Sequence, residues 1–143
     1  MVPQLSVFLQ NKSGKIAAIT RALQQVGVDI RALSIADTTD FGSLRMLVSD
    51  VKAAKKALSD QHCIVSVNDV VIVAVPDVPG GLAGVLELMA EDQIDIEYMY
   101  SLFDRGKTDA YMVFRVSDER RLISLLEKYG MHIIPPEEIG LKD

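Results

Sequence analysis

The stretch that decides the fold is Asp77-Val-Pro-Gly-Gly-Leu82, which follows a short β-rich run and leads directly into an amphipathic segment. The stretch Asn11-Lys-Ser-Gly-Lys-Ile16 has the same surroundings at an offset of 66 residues toward the N-terminus. Further matches follow in the same order, at offsets of 66 and then 68 residues. They pair Asp29-Ile30 with Asp95-Ile96, and Val48-Ser49-Asp50 with Val116-Ser117-Asp118. Matches in one order at a nearly constant offset predict an internal duplication.

Each copy has the same predicted order of elements, strand–helix–strand–strand–helix–strand. The strands are runs rich in β-branched residues, and each first helix has apolar residues at spacings of three and four. The predicted strands are residues 5–9, 30–36, 44–48 and 64–67 in the first copy, and 71–75, 96–103, 110–116 and 131–134 in the second. Residues 37–42 and 104–108 are predicted hairpin loops. Ser49-Asp50 and Ser117-Asp118 are candidate helix N-caps.

This order predicts an α+β fold made of two ferredoxin-like βαββαβ modules, each an antiparallel sheet with both helices on one face. We expect the first module at residues 1–69, the second at residues 70–136, and a C-terminal tail at residues 137–143 that is a surface appendage. Each module is so small that its core alone gives only marginal stability. The sheet face and edges that it leaves uncovered favour self-association. Whether residues 67–70 form a turn or part of one continuous strand stays open.

Composition and charge argue against several classes of protein. The chain has 143 residues, of which 49% are hydrophobic, and 15 basic against 20 acidic side chains give a net charge of −5. This balance favours a folded chain over a disordered one. Nucleic acid is not an expected partner, because neither third strand matches the basic-Gly-aromatic-Gly/Ala-Phe pattern that binds RNA and the chain is net acidic. We expect a cytoplasmic protein without a membrane segment, because neither a leader nor an apolar run of about 20 residues occurs.

No constellation of catalytic residues is found, so we expect no enzymatic activity, no cofactor and no metal ion. His62 and His132 do not correspond under the repeat and lack the spacing of a zinc site. The single Cys63 supplies neither a disulfide nor a paired thiolate, and we interpret it as a small buried hydrophobe. Carboxylates at Asp92, Asp95 and Glu97 are candidates for acid–base chemistry. The weakest alternative is an undetected enzyme, which would need Asp95, Glu97 and a histidine together in a polar cleft.

The strand-to-helix junction is the feature that the two copies share most clearly. A short polar residue, Asn11 or Asp77, comes three positions before a glycine, and the first helix starts at once. Free N–H groups at a helix N-terminus attract a carboxylate, and the glycine admits a ligand close to the backbone. The polar side chain accepts hydrogen bonds from an ammonium group. The junction therefore suits a small zwitterion, although the same residue types also open ordinary helices.

The doubled order, with Asp77-x-Pro-Gly-x-Leu82 and the later Gln93-Ile-Asp-Ile96, resembles a tandem of ACT domains over residues 4–134. ACT domains are small amino-acid-sensing modules attached to enzymes such as phosphoglycerate dehydrogenase and aspartate kinase. The resemblance implies that an amino acid binds between paired modules, at the junction and at the start of a second strand. The implied binding residues are Asn11, Ser13, Gly14, Lys15, Ile16, Asp29, Asp77, Pro79, Gly80, Gly81, Leu82 and Asp95.

Departures from the family limit what the resemblance implies. Serine-sensing relatives carry a histidine where this sequence has Leu9 and Val75, so serine specificity does not transfer. The first copy has Ser13-Gly14 in place of Pro79-Gly80, so its pocket is expected to differ from that of the second copy or to be lost. At the start of the second strand, where those relatives carry an asparagine, this sequence has Asp29 and Asp95. A structural role for these two aspartates, as caps of the second strand, stays open.

The resemblance implies a free-standing pair of ACT-like domains that binds a free amino acid and acts on a separate partner. That partner would be an enzyme of amino-acid metabolism, and a homodimer is expected. Neither nucleic acid nor a membrane is an expected partner. The leading alternative is a regulatory interaction subunit of an amino-acid biosynthetic enzyme that binds no small molecule.

Overall fold

The computed structural model describes residues 1–10, 13–37, 41–102 and 109–142. The strands are β1 (Val2–Gln10), β2 (Ile30–Asp37), β3 (Phe41–Val48), β4 (Ile64–Pro76), β5 (Ile96–Leu102) and β6 (Asp109–Val116). The helices are α1 (Lys15–Gln25), α2 (Val51–Asp60), α3 (Gly81–Glu91) and α4 (Glu119–Lys128), and a 3-10 helix covers Pro136–Ile139. Of the predicted hairpin loops, residues 38–40 and 104–108 lie outside the described residues.

The chain divides into two compact units. Pro3–Asn68 and the chain from Gly140 onward form the first unit, and Asp69–Ile139 with Met1–Val2 forms the second. Strand β4 runs without a break from Ile64 to Pro76. Residues 67–70 are therefore part of one continuous strand, which is the point that the sequence left open.

The first unit is an antiparallel sheet with α1 and α2 packed on one face. β3 pairs with both β1 and β2, and β4 lies on the other side of β1. Because successive residues of a strand point to opposite faces, Leu5 and Val7 of β1 face the same core as Met46 and Leu44, their partners on β3. The buried faces of the two helices complete this core.

The second unit repeats this arrangement with α3 and α4. β6 pairs antiparallel with both β4 and β5. Val71 and Val73 of β4 share a core with Phe114 and Met112, their partners on β6. The predicted fold class, two ferredoxin-like βαββαβ modules with antiparallel sheets, is confirmed.

The last predicted strand of the second copy, residues 131–134, is shorter than expected. A single isolated bridge joins Ile133 to Val73, with backbone hydrogen bonds of 2.9 and 2.8 Å on either side of it. Pro135 and Pro136 follow at once, and neither has an N–H group with which to extend the ladder.

The second helix of each unit has the predicted N-cap. The side chain of Asp50 accepts a hydrogen bond from the Ala53 N–H at 3.1 Å, and that of Asp118 accepts one from the Arg121 N–H at 3.1 Å. The aspartate is therefore the cap in both units, because each satisfies an N–H of the first turn that has no partner within the helix.

Each of the α-helices α1 to α4 is followed by a residue in the left-handed conformation. These residues are Gly27 with φ 71°, His62 with φ 62°, Gln93 with φ 55° and Gly130 with φ 66°. In each case the next N–H donates to the carbonyl five residues earlier, at 2.9 to 3.0 Å, which closes the helix end. Two of the four residues carry a side chain, so these ends have a conformational cost that the glycine ends avoid.

The C-terminal tail is not the surface appendage that the sequence suggested. Ile139 is 3% exposed and Leu141 is 5% exposed. Within the first unit, the Lys142 N–H donates to the Ser49 carbonyl at 2.8 Å. Two apolar side chains at alternating positions and one backbone hydrogen bond therefore hold the tail on the folded protein.

Candidate functional site

The junction of the second unit connects β4 to α3 through residues 77–80. The Val78 N–H donates to the Pro76 carbonyl at 2.9 Å, and the Gly81 N–H donates to the Val78 carbonyl at 3.0 Å. Gly80, the N-cap of α3, has φ 87°, a conformation that favours glycine. A Cβ atom on Gly81 would lie 2.0 Å from the Pro76 carbonyl oxygen. Position 81 therefore admits no side chain, because the backbone at the end of β4 fills the space.

The junction of the first unit begins its helix in the same way but has a side chain at the next position. Gly14, the N-cap of α1, has φ 82°, close to that of Gly80. The next residue is Lys15, which is exposed and lines a cavity of about 320 Å³. Asn11, one of the predicted binding residues, lies outside the described residues.

The first helices differ from the second helices in how they begin. Aspartate side chains cap α2 and α4, whereas the glycine N-caps of α1 and α3 have no side chain to accept a hydrogen bond from the first turn. The first turns of α1 and α3 also contain no acidic residue. A helix N-terminus carries about half a positive charge, so these two ends are suited to an external anionic group.

The other predicted junction residues are exposed, except at the second helical position. Ser13, Asp77 and Pro79 are on the surface. Ile16 and Leu82 are half-buried and pack against the hydrophobic cores of their own units. These two residues can offer a ligand only their backbone groups, because their side chains are used in packing.

Asp29 and Asp95 lie just before β2 and β5, at the end of the first helix that is remote from the junction. They line grooves of about 450 and 430 Å³ at equivalent places in the two units. Because α3 has 11 residues and each residue rises about 1.5 Å, Asp77 and Asp95 are not brought together within the second unit.

Asp29 also has a structural role. Its backbone N–H donates to the Ser49 hydroxyl at 2.8 Å, and its carbonyl accepts from the Ser49 N–H at 2.9 Å. Its carboxylate forms an ion pair with Arg31 at 3.3 Å. These contacts fix the start of β2 against the end of β3, as the alternative interpretation of this residue suggested.

Sequence reasoning did not find the cavity beside the first junction. It is lined by Phe8, Leu9 and Gln10 of β1, by Lys15 and Phe41, and by residues 62–64. Cys63 is half-buried rather than fully buried. The only signal in the sequence is the change from Gly81 in the second copy to Lys15 in the first.

Metal-binding and membrane-spanning elements are absent from the described part of the chain. Within it, no group of three or more His, Cys, Asp or Glu side chains is placed to hold a metal ion. None of its helices is long and apolar enough to cross a bilayer.

The comparisons with known proteins agree with this fold. The sequence model of the family described as an ACT domain pair matches residues 1–135. The chain therefore belongs to the family of ACT domain pairs, which are regulatory modules, and the resemblance stated from the sequence is confirmed. No curated protein matches the sequence.

Among solved structures, a protein from Bacteroides thetaiotaomicron is 38% identical, with a TM-score of 0.90, over 97% of this chain and 95% of that one. The ligand-free regulatory subunit of aspartate kinase from Thermus thermophilus is 13% identical, with a TM-score of 0.65, over 88% of this chain and 90% of that one. The corresponding subunit from Thermus flavus is 14% identical, with a TM-score of 0.57, over 89% and 92% of the two chains. At these low identities the two kinase subunits show the shared fold alone.

Proposed function

We propose that the protein is an amino-acid-binding regulatory protein that acts on a separate partner in the cytoplasm. The observation that carries this proposal is the twofold occurrence of the glycine-started first helix, at Gly14 and at Gly80. In each unit the second helix is capped by its own aspartate, while the first helix has no such cap. Because the chain belongs to a family of regulatory modules, we propose that a bound ligand supplies the cap that the first helices lack.

In the proposed complex the carboxylate of the amino acid meets the N-terminus of α1 or α3. The partial positive charge and the first-turn N–H groups favour an anion there. Asp77, exposed at the second junction, accepts hydrogen bonds from the ammonium group. Asp29 and Asp95 line separate grooves at the far ends of the first helices, and we propose that each offers its carboxylate to an amino acid bound at the junction of a neighbouring module.

The signal passes to the partner by linkage rather than by chemistry on the ligand. An amino acid that binds one conformation more tightly shifts the population toward it, and a partner that prefers this conformation then binds with a different affinity. We propose an enzyme of amino-acid metabolism as the partner, with catalysis carried by that enzyme. Two of the solved proteins with this fold are regulatory subunits of aspartate kinase, which supports this choice.

The outer strand β2 supports the proposal that the protein forms a homodimer. β2 is the edge of the first unit's sheet, and its Leu33 and Ile35 are 45% and 47% exposed. An edge strand with exposed apolar residues is a template for pairing with another chain. In sedimentation velocity, Leu33→Lys with Ile35→Lys should give monomers. The control Ser34→Lys, on the opposite face of the same strand, should keep the dimer, and a wild type that stays monomeric at high concentration contradicts the proposal.

Calorimetric titration tests the amino-acid site. The intact protein is titrated with each of the twenty amino acids, and the ligand found is then titrated into the variants Asp77→Ala and Asp95→Ala. Loss of a hydrogen bond to a charged group weakens binding by about tenfold or more. Asp60→Ala, an exposed aspartate at the end of α2, is the matched control and should bind normally.

Two results would contradict this proposal. Binding that is unchanged in both site variants would remove the assigned residues from the site. Recovery of one enzyme in a pull-down, with no effect of any amino acid on its capture, would instead favour the regulatory interaction subunit that binds no small molecule.

A further inference from the structure

The C-terminal segment, residues 140–142, is packed within the first unit. Leu141 is 5% exposed, and the Lys142 N–H donates to the Ser49 carbonyl at 2.8 Å. Gly140 lies beside Arg31, because a Cβ atom on this glycine would be 3.8 Å from the Arg31 Nε, an ordinary contact distance. Three successive residues therefore hold the segment against the first unit.

Ser49 links this segment to Asp29. The Asp29 N–H donates to the Ser49 Oγ at 2.8 Å, and the Ser49 N–H donates to the Asp29 carbonyl at 2.9 Å. Ser49 thus uses its hydroxyl and its N–H group on Asp29, and its carbonyl on Lys142. Both backbone groups of Asp29 are bound to a residue that the C-terminal segment holds in turn.

The carboxylate of Asp29 stays accessible while its backbone is fixed. The side chain is 68% exposed, and it lines the groove of about 450 Å³ at the end of α1. Arg31, which contacts Gly140, pairs with this carboxylate at 3.3 Å. A binding group whose backbone is already fixed loses less conformational freedom when a ligand arrives.

The second unit lacks this link. The residues there at the positions of Asp29, Arg31 and Ser49 are Asp95, Glu97 and Ser117. Within the described part of the chain, Asp95 and Ser117 form no hydrogen bond with each other, and Glu97 pairs with Arg115 at 3.1 Å. Asp95 is therefore an internal reference for the effect of the segment on Asp29.

We propose that residues 140–142 position Asp29 through Ser49, and that docking of this segment regulates the amino-acid site to which Asp29 contributes. Release of the segment frees the backbone of Asp29, and binding must then remove that freedom. By linkage, an amino acid held by the Asp29 carboxylate favours the docked segment in return. The effect on binding rests on the proposed function, whereas the effect on Asp29 itself does not.

The first test needs no ligand. Amide hydrogen exchange in the intact protein is followed by NMR for the wild type and for Lys142→Pro, which removes the N–H that donates to Ser49. We expect the amides of Asp29 and Ser49 to exchange about tenfold faster, because each opens more easily without the segment. The amides of β3, in the core of the same unit, should keep their rates. Lys142→Ala keeps the N–H group and should match the wild type.

The second test measures binding, with an equimolar mixture of the twenty L-amino acids as the probe. The concentration that gives half of the full chemical-shift change is read at Asp29 and at Asp95. In Lys142→Pro this concentration should rise about fivefold at Asp29 and stay unchanged at Asp95. Lys142→Ala should bind as the wild type does at both residues.

Two results would overturn the proposal. One is exchange at Asp29 and Ser49 that is as slow in Lys142→Pro as in the wild type. The other is faster exchange throughout the first unit, β3 included, because the segment would then stabilise the whole unit rather than position Asp29. A mixture that shifts no residue of the wild type would contradict the amino-acid proposal alone, since the exchange rates still decide whether the segment holds Asp29.

Discussion

The two first helices start at a left-handed glycine in both units but differ at the residue that follows it. In the second unit, the backbone of Pro76 occupies the space that a side chain of residue 81 would need, since a Cβ there would lie 2.0 Å from the carbonyl oxygen. In the first unit the equivalent residue is Lys15, which borders a cavity of about 320 Å³. The left-handed glycines that start the helices, Gly14 and Gly80, have φ angles of 82° and 87°. After a duplication, the residue that follows the left-handed glycine can thus decide whether the junction has room for a side chain.

The largest expected change in the free energy of unfolding is at the junction of the second unit, where the backbone leaves no space for a side chain. Gly81→Ala should lower the free energy of unfolding by about 2–3 kcal/mol, because the new Cβ forces the helix away from the backbone at the end of β4. Gly84→Ala is the control within the same helix, where a Cβ meets no atom within 4 Å. It should raise the free energy of unfolding by about 0.5–1 kcal/mol. Urea denaturation measures both, and equal effects would mean that the second junction has room for a side chain.

The second helices should respond alike in the two units. Asp50→Ala and Asp118→Ala should each lower the free energy of unfolding by about 1 kcal/mol, because each removes a cap hydrogen bond of 3.1 Å. The matched Asp→Asn variants keep an acceptor and should stay close to the wild type. If only one alanine variant is destabilised in urea denaturation, the two units differ at these helices as well.

The helix ends provide a smaller contrast of opposite sign. Gln93→Gly should raise the free energy of unfolding by about 0.5–1 kcal/mol, because φ is 55° there and glycine adopts such angles without strain. Gly27→Ala, at the equivalent end in the first unit with φ 71°, should lower it by a similar amount. Thermal unfolding checks the pair, and a shift of both variants in the same direction would contradict the assigned conformations.

The smallest effects are expected at the aspartates before the second strands. Asp29→Ala loses an exposed ion pair with Arg31, and such pairs contribute about 0–1 kcal/mol. Asp95 is exposed and lines only a groove, so Asp95→Ala should change unfolding by less than about 0.5 kcal/mol. Denaturation midpoints that match the wild type would allow any loss of amino-acid binding to be assigned to the site. A large destabilisation of either variant would show that its side chain stabilises the fold by more than an exposed ion pair does.

Local sequence features were sufficient to predict the duplicated order of elements and the aspartate N-caps. Strand alternation, helix periodicity and cap chemistry act over a few residues, so they can be recognised in the sequence alone. The end of the second copy was predicted less well. Its final strand is limited to a bridge at Ile133, and the tail beyond it packs through Ile139 and Leu141.

The features of the site that escaped prediction depend on contacts in space. The closeness of Gly81 to Pro76 depends on how the helix sits against the strand, and a Gly-Gly pair in the sequence suggests only flexibility. His62 in a left-handed conformation and the stacking of Phe8 on Phe41 likewise require the folded arrangement. Residues far apart in the sequence form the cavity, and no local pattern marks them.

The measurement that tests the central claim most directly is the thermal stability of the protein in the presence of each of the twenty amino acids. A ligand that binds only the folded protein, at 100 times its Kd, adds about 2.7 kcal/mol to the free energy of unfolding. For a chain of 143 residues, this raises Tm by about 5–10 °C. The account predicts that at least one amino acid raises Tm selectively. A folded protein whose Tm is unchanged by all twenty would contradict it.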